Sequence, residues 1–266
     1  MTRTANLGTA LVTGASAGIG ATYADRLARR GYDLVLVARD EARLSALAGK
    51  LQEQYGIAVA VLRADLSASA DVRIVEKRIR EDAAITLLVN NAGIGPKGAL
   101  LADDIDYLDT MIALNVTAAN RLAVAAAQAF AARGKGTIVN IASAVAIVPE
   151  LFNGAYSGTK AFVLAFTQSL ARELDGTGVR LQAVLPGLTR TEIFDRAGGS
   201  IDNLDQNHVM DVNDLVDAAL AGLDQGELVT IPSLPEKADW EKLEATRFSL
   251  GPNISRNKPA VRYTAA

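Results

Sequence analysis

The sequence contains no cysteine, one histidine and one tryptophan in 266 residues. Without cysteine, the chain has no disulfide bond, no thiolate metal site and no thiol nucleophile. The formal net charge is −3 and the pI is about 5.3. Because there is no overall basic field, we expect neither nucleic acid nor an anionic membrane as a partner.

Long apolar runs are also missing. No stretch approaches the ~20 uninterrupted apolar residues of a membrane span. The first residues, MTRTANLGTALVTG, contain no long apolar run followed by a cleavage site, so we expect no signal peptide. These two features predict a cytoplasmic protein. Half of the residues are apolar, which suits one large globular domain or at most two small ones.

Short runs rich in Val, Ile and Leu alternate with segments of helical spacing. The runs are typical of strands buried on both faces of a parallel sheet. They lie at 9–13, 33–38, 58–64, 85–90, 136–142, 179–186 and 227–231. The helical segments lie at 18–30, 40–55, 68–82, 104–133, 156–175 and 211–224. This alternation predicts βαβ units and a doubly wound α/β fold.

The composition changes after about residue 232. The segment 232–266 holds four of the seven prolines and the only tryptophan. We expect a short helix around 236–247 and then an irregular tail. A solvated terminus explains this composition. An arm that packs on a neighbouring subunit or over the mouth of a site is the alternative.

A glycine-rich turn follows the first strand. The segment TGASAGIG carries Gly14, Gly18 and Gly20 and leads into a helix. In this context glycines let the backbone approach a pyrophosphate, whose charge lies at the helix N-terminus. A glycine loop that merely eases a tight turn has the same pattern, so the motif alone does not decide.

The end of the second strand bears on the choice of dinucleotide. In an NAD site an acidic residue at this point accepts a hydrogen bond from the ribose 2′-hydroxyl. Here Arg39 follows the strand, and it can form a bidentate pair with a 2′-phosphate, with Ser16 as a further donor. Asp40 is expected to cap the next helix. The pattern favours NADP(H) over NAD(H), with a solvated Arg39 as the alternative.

The segment YSGTK places Tyr156 and Lys160 four residues apart at the start of a predicted helix. Both side chains then project from one helix face. A free phenol titrates near ~10, and a nearby ammonium favours its ionised form. The pair therefore fits a tuned proton donor, although two surface residues would show the same spacing.

Taken together, these motifs resemble those of the short-chain dehydrogenase/reductase family over residues 7–231. The segments that carry the resemblance are TGASAGIG at 13–20, NNAG at 90–93, ALNVT at 113–117, NIASA at 140–144, YSGTK at 156–160 and PGLTRT at 186–191. The resemblance implies a Rossmann-type domain at 1–231, with a doubly wound seven-stranded parallel sheet flanked by helices. Residues 232–266 form an extension that it does not cover.

The resemblance also implies NAD(P)-dependent carbonyl reduction or alcohol oxidation on a small molecule. Tyr156 would be the general acid, and Ser143 would form a hydrogen bond with the substrate oxygen. Lys160 would lower the phenol pKa and hold the nicotinamide ribose, and Asn115 would hold a relay water. Asn90 is expected to brace the sheet. The implied cofactor contacts are Gly14, Ser16, Gly18, Ile19, Gly20, Arg39, Asp65, Leu66, Asn91, Gly93, Tyr156, Lys160, Thr189 and Thr191.

Other chemistry is disfavoured. His208 lies in a polar loop, and no G-x-S-x-G nucleophile elbow is present, so a triad hydrolase is discounted. Asp103, Asp104 and Asp106 suit a helix N-terminus rather than a metal. A cofactor-sensing regulator without turnover, and an epimerase or dehydratase on the same scaffold, remain alternative functions.

The segments expected around the substrate are largely apolar, which favours a hydrophobic carbonyl compound. They contribute Val145, Ile147, Val148, Leu151, Phe152, Ile193, Phe194 and Met210, beside the charged Arg190 and Arg196. The helix at 104–133 is alanine-rich, and family members commonly pair this helix between subunits. We therefore expect a homodimer or homotetramer.

Overall fold

The computed structural model describes residues 7–193 and 200–264. Within them lie the strands β1 (Thr9–Thr13), β2 (Asp33–Ala38), β3 (Val59–Arg63), β4 (Ile85–Asn90), β5 (Gly136–Ile141), β6 (Val179–Val184) and β7 (Val229–Thr230). They form one seven-stranded sheet in the order β3-β2-β1-β4-β5-β6-β7, and neighbouring strands are parallel. The predicted doubly wound parallel sheet is confirmed.

Among the described residues, the α-helices around the sheet lie close to their predicted positions. They are α1 (Gly18–Arg29), α2 (Glu41–Tyr55), α3 (Ser69–Glu81), α4 (Ile105–Ile112), α5 (Ala119–Arg133), α6 (Gly154–Glu173) and α7 (Val212–Asp224). Asp40 caps α2 as predicted, since its carboxylate accepts a hydrogen bond from the Arg43 backbone N–H at 3.0 Å. Asp104 caps α4 in the same way.

Both faces of the sheet are buried, as its near-continuous apolar strands require. Ala10 and Val12 of β1 point into the core on one face, and Leu11 points into the core on the other. Helices α1, α2 and α7 cover the first face, and α3 and α5 cover the second. The result is a three-layer domain whose central strands are inaccessible to solvent.

The strand order places a crevice at the ends of β1 and β4. From β1 the chain adds β2 and β3 on one side of this pair, and from β4 it adds β5, β6 and β7 on the other. Open α/β sheets bind ligands at such a switch point, outside the carboxyl ends of the strands. The glycine turn follows β1, and Asn91 to Gly93 follow β4, so both motifs border the crevice.

The alanine-rich helix is continuous from Ile105 to Arg133, but its turns at Ala113–Ala118 are π-helical. By length and composition alone this 29-residue run could span a membrane. Its side chains Leu122 and Phe130 are fully buried in the core beside the sheet. The run therefore has the character of a core helix.

Contacts divide the chain into a unit that ends at Pro232 and a second unit, Ser233–Ala266. The second unit contains α8 (Lys237–Ser249), α9 (Gly251–Ile254) and a turn at Val261–Tyr263. The helix expected around 236–247 is α8.

Candidate active site

The glycine turn is built for close approach of the backbone. Gly14 and Gly18 have φ values of 65° and 52°, which favour glycine. A Cβ on Gly20 would lie 2.3 Å from the Gly14 carbonyl oxygen, so only glycine fits there. Ala17 offers α1 no side-chain cap. The first backbone N–H groups of α1 therefore remain available to an anion.

Asn91 and Thr13 hold this turn in place. The Asn91 side chain donates to the Thr13 carbonyl at 2.9 Å, and the Thr13 hydroxyl accepts from the backbone N–H groups of Asn91 at 2.9 Å and Ala92 at 3.0 Å. These bonds lock the end of β1 to the end of β4. Asn91 also borders the adjoining cavity, and Thr13 is a positioning residue that sequence reasoning missed.

Two cavities adjoin along the crevice. We call the first, of about 710 Å³, the adenosine-side cavity. It contains several predicted cofactor residues: Gly14, Ser16, Arg39, Asp65, Leu66 and Gly93. Burial favours a raised pKa for the Asp65 carboxyl, but hydrogen bonds from the Ser67 hydroxyl and N–H, with the charges of Arg39 and Arg63, lower that pKa overall.

The second cavity, of about 500 Å³, is the catalytic cavity. It brings together Ser143, Tyr156 and Lys160 with the predicted cofactor residues Gly14, Gly18, Ile19, Asn91, Gly93, Thr189 and Thr191. Gly20 borders neither cavity. It lies beneath the glycine turn, where the lack of a Cβ permits close packing against Gly14, and its contact with a coenzyme stays a prediction.

Tyr156 is fixed by the start of α6. The helix cap is Asn153, whose side-chain oxygen accepts from the backbone N–H groups of Ala155 at 3.0 Å and Tyr156 at 3.2 Å. The amide group of the same side chain donates to the Gly98 carbonyl at 3.0 Å. Ser143 follows β5 and hydrogen-bonds Tyr156. Cap and serine together hold the phenol in the cavity.

Lys160 lies one turn further along α6 and is buried. Its ammonium donates to the Ile141 carbonyl at 3.0 Å and lies 5.7 Å from the centre of the Tyr156 ring. Burial lowers the pKa of the amine to about 8. Neutral pH is therefore only about one unit below the pKa of this amine.

The phenol behaves differently from the expectation. Burial raises the pKa of Tyr156 to about 12, and the hydrogen bond with Ser143 opposes this only in part. The lowering expected from the charge of Lys160 stays a prediction, because burial and the Ser143 hydrogen bond are what set the raised pKa here. A protonated phenol at neutral pH is still suited to donate a proton to a developing oxyanion.

Asn115 is placed by the π-helical turn of the alanine-rich helix. Its side chain is buried and borders neither cavity. It accepts from the Ile94 N–H at 3.0 Å, and donates to the Ile94 carbonyl at 2.9 Å and the Thr159 hydroxyl at 3.3 Å. Asn115 therefore ties the segment after β4 to α6, and π turns are frequent at functional sites.

Asn90 braces the sheet, as expected. Its amide donates to the Ala119 carbonyl at 2.7 Å and to Asn140 of β5 at 3.2 Å. Asn140 in turn donates to the Thr167 hydroxyl of α6 at 2.9 Å. This buried polar chain joins β4, β5 and both flanking helices.

The apolar wall of the catalytic cavity matches its prediction in part. Val145, Val148, Leu151, Phe152 and Ile193 border the cavity, whereas Ile147 and Met210 do not. Phe194 and Arg196 lie outside the described residues. The exposed His208 pairs with Asp205 at 3.2 Å on the surface, as a loop histidine should.

Comparison with known proteins decides the family. The model of the short chain dehydrogenase family matches residues 8–200. The chain belongs to the short-chain dehydrogenase family. It is an enzyme of the oxidoreductase class, with a Rossmann-type fold.

Two solved structures are similar to this short-chain dehydrogenase over nearly its whole length. One, from Sphingobium yanoikuyae in complex with NADPH, is 50% identical, covers 96% of this chain and 98% of its own, and has a TM-score of 0.93. The other is a bulky-bulky ketone specific alcohol dehydrogenase from Comamonas testosteroni. It is 48% identical, covers 98% of this chain and 100% of its own, and has a TM-score of 0.90.

Among curated relatives, a very-long-chain 3-oxoacyl-CoA reductase of Anas platyrhynchos is 35% identical over 188 residues, or 69% of this chain. The dehydrogenase spans only 60% of the length of that relative. An uncharacterised oxidoreductase of Staphylococcus saprophyticus is 33% identical over 84% of this chain and 93% of its own.

Several site residues of this short-chain dehydrogenase escaped sequence reasoning. Tyr107 borders the catalytic cavity, and its hydroxyl donates to the Gly95 carbonyl at 2.7 Å. Arg43 and Glu192 border the adenosine-side cavity. The available signal for Arg43 was its spacing from Arg39, since Arg39 directly precedes the Asp40 cap of α2 and Arg43 lies in the first turn of that helix. No local pattern marks Tyr107 or Glu192.

Proposed function

We propose that the protein is an NADP(H)-dependent ketone reductase and secondary alcohol dehydrogenase, acting on substrates with large apolar groups on both sides of the carbonyl. The observation that carries this proposal is the convergence of Ser143, Tyr156 and Lys160 on an apolar cavity beside the glycine turn. Its alternatives, a non-catalytic sensor and an epimerase or dehydratase, do not account for the bulky-ketone dehydrogenase so similar to this chain.

The residues present fit NADP(H). The glycine turn leaves a cradle that a Cβ would fill, and the uncapped start of α1 suits a pyrophosphate. Ser16, Arg39 and Arg43 border one cavity and offer donors for a 2′-phosphate. When bound, the nicotinamide supplies or accepts the hydride. Asp65 and Leu66 would flank the adenine, and Thr189 and Thr191 would hold the carboxamide.

In the reductive direction, negative charge develops on the carbonyl oxygen of the substrate. The hydroxyls of Ser143 and Tyr156 would donate hydrogen bonds to that oxygen, and Tyr156 would transfer its proton. The ammonium of Lys160 would stabilise the phenolate that remains and bind the nicotinamide ribose. Asn115 would not contact the substrate. It would fix the backbone at Ile94 and hold a water that relays protons.

A panel of carbonyl substrates tests this function. Purified protein is mixed with NADPH or NADH and with acetone, an aryl alkyl ketone or a ketone with two aryl groups, and loss of nicotinamide absorbance is followed. We expect turnover with NADPH and the bulky ketones. Absence of turnover with every ketone in the panel would reject the proposal.

Coenzyme choice should depend on Arg39. Arg39→Asp replaces a bidentate donor with a repelling carboxylate, so NADPH affinity should fall by about 10- to 100-fold while NADH affinity stays within about twofold. Fluorescence titration measures both dissociation constants. Arg73→Asp, which makes the same charge change on α3 away from both cavities, is the control. Equal losses for both coenzymes would contradict the role of Arg39.

Substrate size should depend on Phe152. Its ring meets the Tyr156 ring edge-on at 5.5 Å and is 43% exposed where it borders the cavity. Phe152→Ala should lower kcat/KM for a bulky aryl ketone about tenfold, because a large apolar contact is lost. The value of kcat/KM for acetone should change far less. Leu101→Ala, at an exposed position outside both cavities, should change neither. Equal losses for both ketones would mean that Phe152 serves Tyr156 and not the substrate.

We also propose a cytoplasmic enzyme that assembles as a homodimer or homotetramer through the alanine-rich helix. Most alanines of α5 are buried in the protomer core or packed against it, but Ala119 and Ala132 are not, and small side chains at such positions allow close helix packing. Light scattering over micromolar concentrations tests the assembly, and a monomer throughout would reject it.

A further inference from the structure

An ion pair crosses the crevice between elements far apart in the chain. The guanidinium of Arg43, on α2, donates to both carboxylate oxygens of Glu192, at 3.0 and 2.9 Å. Arg43 borders the adenosine-side cavity, and Glu192 borders both cavities. The pair therefore bridges the crevice at the junction of the two cavities.

The segment that carries Glu192 is closely seated over this junction. The Thr191 side chain is 3.3 Å from where a Cβ of Gly18 would lie, and the Ile193 side chain is 3.5 Å from the corresponding position of Gly95. Glu192 lies between these two anchors. The ion pair adds a third attachment, which joins the segment after β6 to α2 on the opposite side of the crevice.

Arg43 already lies near two carboxylates, because its Nε is also 3.5 Å from a carboxylate oxygen of Asp40, and a coenzyme phosphate would be a further anion. Arg43 borders the same cavity as Arg39 and Ser16, the groups proposed above to hold a 2′-phosphate. A guanidinium binds phosphate and carboxylate with the same bidentate fork. Both partners of the existing pair are about half exposed, and exposed ion pairs contribute little to stability. A phosphate dianion is therefore able to displace Glu192.

We propose that Glu192 competes with the coenzyme 2′-phosphate for Arg43, so that binding of NADP(H) and closure of the Arg43–Glu192 pair are mutually exclusive. This rests on the proposed NADP(H) dependence. As the phosphate leaves, Arg43 returns to Glu192, and the pair favours coenzyme release. Glu192 is thus a residue that sets the discrimination between NADP(H) and NAD(H).

A double-mutant cycle tests the competition without turnover. Affinities for adenosine 2′,5′-bisphosphate and for 5′-AMP are measured by calorimetry on the wild type, Glu192→Gln, Arg43→Gln and the double variant. Glu192→Gln should bind the bisphosphate about three- to fivefold more tightly, the factor available from an exposed pair. Its affinity for 5′-AMP should not change. In the Arg43→Gln background, Glu192→Gln should have no effect on either ligand.

Each other outcome is decisive. If Glu192→Gln leaves bisphosphate affinity unchanged or weaker, or tightens 5′-AMP equally, the competition does not exist. If the gain persists without Arg43, Glu192 acts only as a nearby like charge and the proposal is overturned. If the wild type binds 5′-AMP as tightly as the bisphosphate, the NADP(H) assignment itself fails. That result is read from the wild type alone, so the two failures are distinct.

Discussion

Tyr156→Phe is expected to lower kcat/KM for ketone reduction by about 10²- to 10⁴-fold, the range typical of a lost general acid. The phenol is the only group bordering the described part of the catalytic cavity that combines a hydrogen bond to Ser143 with a place one turn from Lys160. Removing one oxygen keeps the ring and its packing against Phe152. Steady-state kinetics with NADPH and a bulky ketone give the measurement.

The chain supplies a matched control for this change. Tyr107→Phe removes a hydroxyl from the same cavity, but that hydroxyl bonds the Gly95 carbonyl. Its loss should change kcat/KM by less than about fivefold, since one neutral hydrogen bond contributes about 1 kcal/mol. NADPH affinity should be nearly unchanged in both variants. If Tyr156→Phe keeps full activity, or if both variants lose activity equally, Tyr156 is not the acid.

Lys160→Met should abolish turnover and yet raise the free energy of unfolding at pH 7 by about 1–2 kcal/mol. The amine is buried and its pKa is lowered to about 8 by desolvation, so keeping it charged in the folded state is unfavourable. Methionine fills a similar volume without that charge. The gain is reduced because the hydrogen bond to the Ile141 carbonyl is lost.

The pH dependence follows from the same shift. The folded pKa of Lys160 lies below its ordinary value, so between about pH 8 and 10.5 the unfolded chain binds more protons than the folded one. From this group alone, the free energy of unfolding of the wild type therefore rises through that window. The stability difference from Lys160→Met should shrink there. Urea unfolding at about pH 7 and pH 10 measures it, and an unchanged or widening difference would contradict the assignment.

Much of the framework is predictable from sequence for a physical reason. Strands buried on both faces must be apolar, so segments such as 33–38 and 85–90 are recognisable without contacts. Tyr156 and Lys160 are neighbours on one helix, and helical spacing alone places them on the same face. Gly14 and Gly18 are marked because their backbone conformations favour glycine.

The remaining features depend on tertiary contacts. Arg43 and Glu192 are 149 positions apart, and no periodicity links them. The raised pKa of Tyr156 follows from burial that spacing does not reveal. The π-helical turn around Asn115 likewise reflects bonds to Ile94 and Thr159, which become visible only when the segments meet.

Asn153 has a consequence for redesign of this enzyme. One amide side chain holds both the first turn of α6, which carries Tyr156, and the Gly98 carbonyl in the loop after β4. The position of the loop at Gly98 and the position of Tyr156 therefore both depend on Asn153. Insertions near Gly98 meant to admit larger compounds will tilt the phenol as well, so selectivity and rate will change together unless that amide keeps both of its partners.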